Sequence, residues 1–134
     1  MTIKEQEDKL KELNQEILKL ENTIRISIHD DELKYRDKDF INSVKSVLSQ
    51  ISIKINDIYD LLGGNSEDIE NFELTIKYLN NDVHILRLYI FKIKMLCKVL
   101  NNYNPDNKIG LDTTSLNKFN KISSIANKYQ SSII

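Results

Sequence analysis

The 134-residue chain is poor in the residues that carry most recognisable chemistry: one cysteine, one proline, three glycines, two histidines and no tryptophan. A lone thiol, Cys97, allows no intrachain disulfide, and its place inside an apolar repeat makes it a small core hydrophobe rather than a nucleophile. Gly63-Gly64 has neither the lysine nor the downstream spacing of a phosphate-binding loop, so it reads as a helix-ending turn. His29-Asp30-Asp31-Glu32 is the one cluster rich in metal-ligating side chains. It lacks the glycine and alternating spacing of a calcium loop and a second histidine for zinc, so it reads as a solvated linker. His84 shares its helix face with Arg87, Lys94 and Lys98, a setting that reads as surface, since acid–base work needs an oriented partner that sequence spacing does not supply. No catalytic residue, cofactor or metal is therefore expected, and the chain reads as a non-enzyme.

A charge excess of one sign is also missing. Nineteen basic residues against twenty acidic ones exclude the steady electropositive field of a nucleic-acid binder. The most apolar stretch, Val83 to Leu100, is interrupted by His84, Arg87, Lys92, Lys94 and Lys98, which rules it out as a bilayer-spanning helix. Met1-Thr2-Ile3-Lys4 runs straight into a charged helical pattern with no leader, so a cytoplasmic protein is expected, with export by a leaderless route left open. Abundant isoleucine and asparagine, lysine far in excess of arginine, and a single alanine, Ala126, mark an AT-rich coding sequence.

What the chain does contain is helical periodicity. Ile69, Phe72, Ile76, Leu79, Val83, Leu86, Ile90, Ile93, Cys97 and Leu100 alternate at three and four residues, a spacing that only a helix gathers on one face. This predicts one long helix over 66–101, capped by Asn65 or Ser66, with Glu67, Asp68 and Glu70 at its start and Lys92, Lys94 and Lys98 near its end complementing the macrodipole. Ile85, Leu88, Tyr89, Met95, Leu96 and Val99 add a second apolar strip, which predicts cover from two sides and a central position in the bundle.

The N-terminal segment, 3–26, repeats Leu10, Leu13, Ile17, Leu20 and Ile24 among strong helix formers. That stripe is narrow, and parallel self-pairing would oppose Glu16 to Glu21, so an antiparallel or heterotypic partner is expected for it. After a linker between Ser27 and Asp39, a helix over 39–62 buries Phe40, Val44, Val47, Leu48, Ile51, Ile55, Ile58, Tyr59 and Leu62 and stops at the glycine pair. Ile24-Arg25-Ile26-Ser27-Ile28 and Ile51-Ser52-Ile53-Lys54-Ile55 alternate as strands do, the one β alternative. The turn-rich Asn101–Asn107 ends the long helix, and a shorter one follows over 114–130 with Asp112, Thr113 or Thr114 as its cap.

These segments predict a single all-α domain over 1–134: an elongated bundle of three long helices and a shorter C-terminal one, packed as in coiled coils. The matching function is a non-catalytic protein–protein interaction module, an adaptor, chaperone or accessory subunit, that binds its partner through helix–helix contacts. Leu10, Leu13, Ile17, Leu20 and Ile24 are the candidate partner-binding residues, whether the partner is another protein or a second copy; no nucleic acid and no membrane is expected. The alternatives are a homo-oligomeric structural coiled coil built on the first helix and a membrane-surface module using the basic face of the third.

Overall fold

A computed structural model of the chain describes residues 1–30 and 35–130. They form five helices: α1 (Ile3–Asp30), α2 (Lys38–Leu61), α3 (Ile69–Tyr78), α4 (Asn80–Tyr103) and α5 (Thr113–Gln130). Among the described residues there is no strand, so both isoleucine alternations are helical. The repeat on the opposite side of each helix supplies the burial: Ile24 belongs to the core of α1 while Ile26 is exposed, and Ile51 and Ile55 are buried in α2 while Ile53 is not.

α1 runs on to Asp30, past the expected end at residue 26, because Ser27–Asp30 contains neither proline nor glycine to stop it. The His29–Glu32 cluster lies outside the described side chains.

The expected single helix over 66–101 is instead two. Leu79 leaves helical geometry (φ −101°, ψ 23°), yet its N–H donates to the Thr75 carbonyl at 3.0 Å and its own carbonyl accepts from Val83 at 3.0 Å. The helical phase therefore carries across the break. Two local features favour a bend there: the Thr75 hydroxyl donates back to the Asn71 carbonyl at 2.8 Å, and Asn80-Asn81 are weak helix formers. The cap also differs from expectation, for the Asp68 carboxylate, not Asn65 or Ser66, accepts from the Asn71 N–H at 3.0 Å. At the other end Asp112 is the cap of α5, accepting from the Ser115 N–H at 2.9 Å and from its hydroxyl at 2.7 Å.

The glycine pair closes α2 for two different reasons. Gly63 adopts φ +94°, a left-handed conformation that costs glycine little. At Gly64 a Cβ would stand 2.4 Å from the Tyr59 ring, which packs edge-on against Phe72 with centroids 5.5 Å apart.

α1 packs on α2 and α4, and α5 packs on α2, α4 and α3, so the four long elements form a ring in the order α1, α2, α5, α4. The Gln6 amide donates to the Leu61 carbonyl at 3.1 Å, joining the start of α1 to the end of α2. The Asn14 amide donates to the Asp82 carbonyl at 2.9 Å, joining α1 to the start of α4, and Arg87 reaches Asn127 near the end of α5. Chain direction thus alternates up and down along the sequence, and one continuous core draws residues from all five helices. The sequence placed the third long segment at the centre of the bundle. In a ring of four no helix is central, and α4 is covered by α1 and α5 on one side only.

Candidate interaction surface

The inner face of α4, built from Val83, Leu86, Ile90, Ile93, Cys97 and Leu100, is buried. Burial pushes the Cys97 thiol up to about 11, which keeps it protonated and a poor nucleophile at neutral pH. It borders a groove of about 660 Å³ between the last turns of α4, the following connection and α5, where Lys94, Lys98 and Lys108 also lie.

The opposite face is open. Leu88 is 48% exposed, Phe91 61% and Met95 46%, with Ile85 and Val99 beside them. On α3, before the bend, Leu74 and Tyr78 continue the same line, with Tyr78 70% exposed. Leu74, Tyr78, Asn81, Ile85, Leu88, Lys92, Met95 and Val99 follow one another at alternating steps of four and three. All eight are exposed. This is a second heptad stripe, set against the buried one.

Its flanks differ. Toward α5, Arg87 donates to the Asn127 side-chain carbonyl at 2.6 Å, the Lys94 ammonium lies 5.4 Å from the Phe119 ring, and Lys128 pairs with Glu73 at 3.4 Å. The basic residues of α4 therefore turn in part to α5. Glu16 of α1 pairs with Lys54 of α2 at 3.0 Å, and Glu12 with Lys9 at 3.7 Å. Toward α1, Tyr89 and Leu96 are half-buried against the core. Asp82 lies in this seam, and burial raises its carboxyl above the ordinary carboxylate range, with Lys11 pulling it back down.

The predicted partner-binding stripe sits elsewhere. Leu10, Leu13, Ile17 and Ile24 are buried in the chain's own core and Leu20 is half-buried against it. α1 has two neighbours, so it needs a wider buried face than its apolar stripe provides. Asn14 and Glu21 are drawn in to complete it, at 2% and 1% exposure. The Glu21 carboxylate has the Arg25 guanidinium at 3.7 Å. In this fold the α1 stripe is thus not open to another chain.

The outward stripe escaped the sequence reading because Tyr78, Asn81 and Lys92 dilute it and because it shares a segment with a stronger repeat. The signal was the strip of Ile85, Leu88, Met95 and Val99, whose need for cover was legible but whose cover was assigned within the chain. No group of histidine, cysteine, aspartate and glutamate among the described residues is placed to hold a metal ion, and none of their helices is long and apolar enough to cross a membrane. No family model, curated protein or solved structure matches the chain.

Proposed function

We propose that this chain is a non-catalytic interaction module, an adaptor, chaperone or accessory subunit, that binds another polypeptide by helix–helix packing on the outward face of α3 and α4. One observation carries the reading: a heptad-spaced apolar line stays exposed although the bundle has already closed its core. An exposed apolar strip of this length on a monomer marks a binding surface more often than an accident of composition. The sequence's functional class is kept and its location moves from the first helix to the other side of the bundle.

The test is a paired charge insertion, Leu88→Glu with Met95→Glu. Both side chains are solvated in the single chain, so far-ultraviolet circular dichroism and the denaturation midpoint should hold while binding to the physiological partner is lost. Retained binding would place the site elsewhere.

A membrane-surface role rests on Lys92 within the same line and Lys98 beside it. It is the weaker reading, since Arg87 and Lys94 are engaged with α5. Co-flotation with phosphatidylglycerol vesicles that is lost in Leu88→Glu would favour it.

A further inference from the structure

Deepening the proposed interaction role, on which it rests, we infer that the outward stripe of α3 and α4 pairs with the same stripe of a second copy of this chain, antiparallel, about a two-fold axis between Ile85 and Leu88. The argument is one of register. In heptad terms Ile85, Lys92 and Val99 occupy one core position and Asn81, Leu88 and Met95 the other, so the stripe carries two polar interruptions at fixed places. In antiparallel pairing each position of the first kind faces one of the second kind.

With the axis between Ile85 and Leu88, these two residues face each other across the dimer, Met95 faces Tyr78, and Val99 faces Leu74. Lys92 then faces Asn81, where the ammonium can donate to the amide oxygen. Every apolar member meets an apolar one and the two polar members meet each other. A slip of one heptad either way destroys this. One direction sets Lys92 against Leu88 and Asn81 against Val99; the other sets Lys92 against Leu74 and Asn81 against Ile85. Polar groups would then be desolvated against hydrocarbon, the arrangement that fixes register in coiled coils.

Parallel, in-register pairing keeps the apolar matches but stacks Lys92 on Lys92, a like-charge contact in a desolvated seam. Glu73 and Lys94 stay turned toward α5 of their own chain and take no part in the seam. On its flank Lys77 approaches Lys98 of the second copy, both side chains being exposed to water. The Lys77 ammonium lies 5.8 Å from the Tyr129 ring of its own chain.

The helical hydrogen bonds on either side of Leu79 keep Leu74 and Tyr78 in phase with α4, and both are exposed. A two-fold interface of this kind uses one patch twice and closes on itself.

The experiment is sedimentation equilibrium of the full chain over a wide concentration range, with disulfide mapping in a Cys97→Ala background. Twice the mass of one chain is expected for the wild type, and the mass of one chain for Leu88→Glu with an unchanged helical spectrum. Mixing an Asn81→Cys chain with a Lys92→Cys chain under oxidation should give the mixed disulfide in preference to either self-linked product. Self-linking of each variant would overturn the antiparallel register, and a single-chain mass at every concentration would overturn the second copy.

A photo-crosslinking residue at Phe91, introduced in the cells that make the protein, separates the two failures. Capture of a different protein there, with the purified chain monomeric, overturns the self-pairing and leaves the interaction role standing. Absence of any captured chain, with a monomeric protein, removes both.

Discussion

α4 has two apolar faces at the same spacing, and the chain uses one of them. Its inner residues, Val83 through Leu100, are at most 7% exposed, whereas Ile85, Leu88, Phe91, Met95 and Val99 range from 36% to 61%. Apolar character alone does not separate the two faces: both carry branched aliphatics, with Cys97 on the inner one and Phe91 and Met95 on the outer, although Asn81 and Lys92 interrupt the outer line. What separates them is neighbours, since α1 and α5 approach from one side and the ring leaves the other open. Heptad periodicity therefore marks a face as fit for helix packing, and the number of helices in the chain decides whether that packing is internal.

The largest expected effect tests whether the internal side is as indispensable as it looks. Ile17→Asp would place an unpaired charge at a fully buried position between α1 and its two neighbours, and a loss above about 4 kcal/mol with collapse of the helical signal is expected. A variant that keeps its circular dichroism would show α1 to be a separable arm and restore its stripe as a binding surface.

Next comes the direct contrast within α4. In dilute protein, Leu86→Ala and Ile90→Ala should each cost about 2–5 kcal/mol in urea denaturation. Leu88→Ala and Met95→Ala should cost less than about 0.5 kcal/mol, as solvated surface positions do. Equal losses on the two faces would erase the distinction drawn between them.

A smaller change probes the wall that covers the inner face. Asp112→Ala removes the cap of α5 and should cost about 1 kcal/mol. The Ser115 N–H, followed by its hydroxyl, holds the Asp112 carboxyl below its ordinary value. A carboxylate lowered in the folded state contributes stability that is fully present above its unfolded pKa, about 4, and is lost as pH falls through the lowered native value. The difference between wild type and Asp112→Ala should therefore shrink in acid-unfolding curves below about pH 4. A difference that persists unchanged would mean that the carboxylate is not the source.

The least perturbing test is chemical. Cys97 and Val99 lie close in sequence on opposite faces, so at mildly alkaline pH Cys97 should be alkylated about a hundredfold more slowly than a thiol introduced by Val99→Cys, in line with its raised pKa. Comparable rates in dilute native protein would mean that the inner face opens readily.

Several features could be read before any fold was known. The 3-4 repeats in 3–26, 39–62, 66–101 and 114–130 mark helices, because no other backbone geometry gathers those side chains on one face. Gly63 marks the stop of α2 and Asp112 the start of α5, both through local chemistry that needs no tertiary partner, whereas Gly64 also makes room for the Tyr59 ring. The bend at Leu79 was less legible, since the apolar repeat runs through it without a missed step and only Asn80-Asn81 and the Thr75 hydroxyl weaken the helix there.

The side of each helix that the chain covers was the part decided by tertiary structure. Periodicity is a property of one segment, and burial is a property of its neighbours. α1 offers a narrow apolar stripe but meets two helices, so Asn14 and Glu21 go inside and the stripe that resembled a docking seam becomes core. α4 offers apolar surface on two sides but also meets two helices, both on one side, so the remainder stays in water. Local sequence determined which segments are helical and where most of them end, because capping, propensity and side-chain spacing act within a few residues. The ring order α1, α2, α5, α4 determined which apolar face was left for another chain, because only the assembled set of helices settles how much surface each can bury.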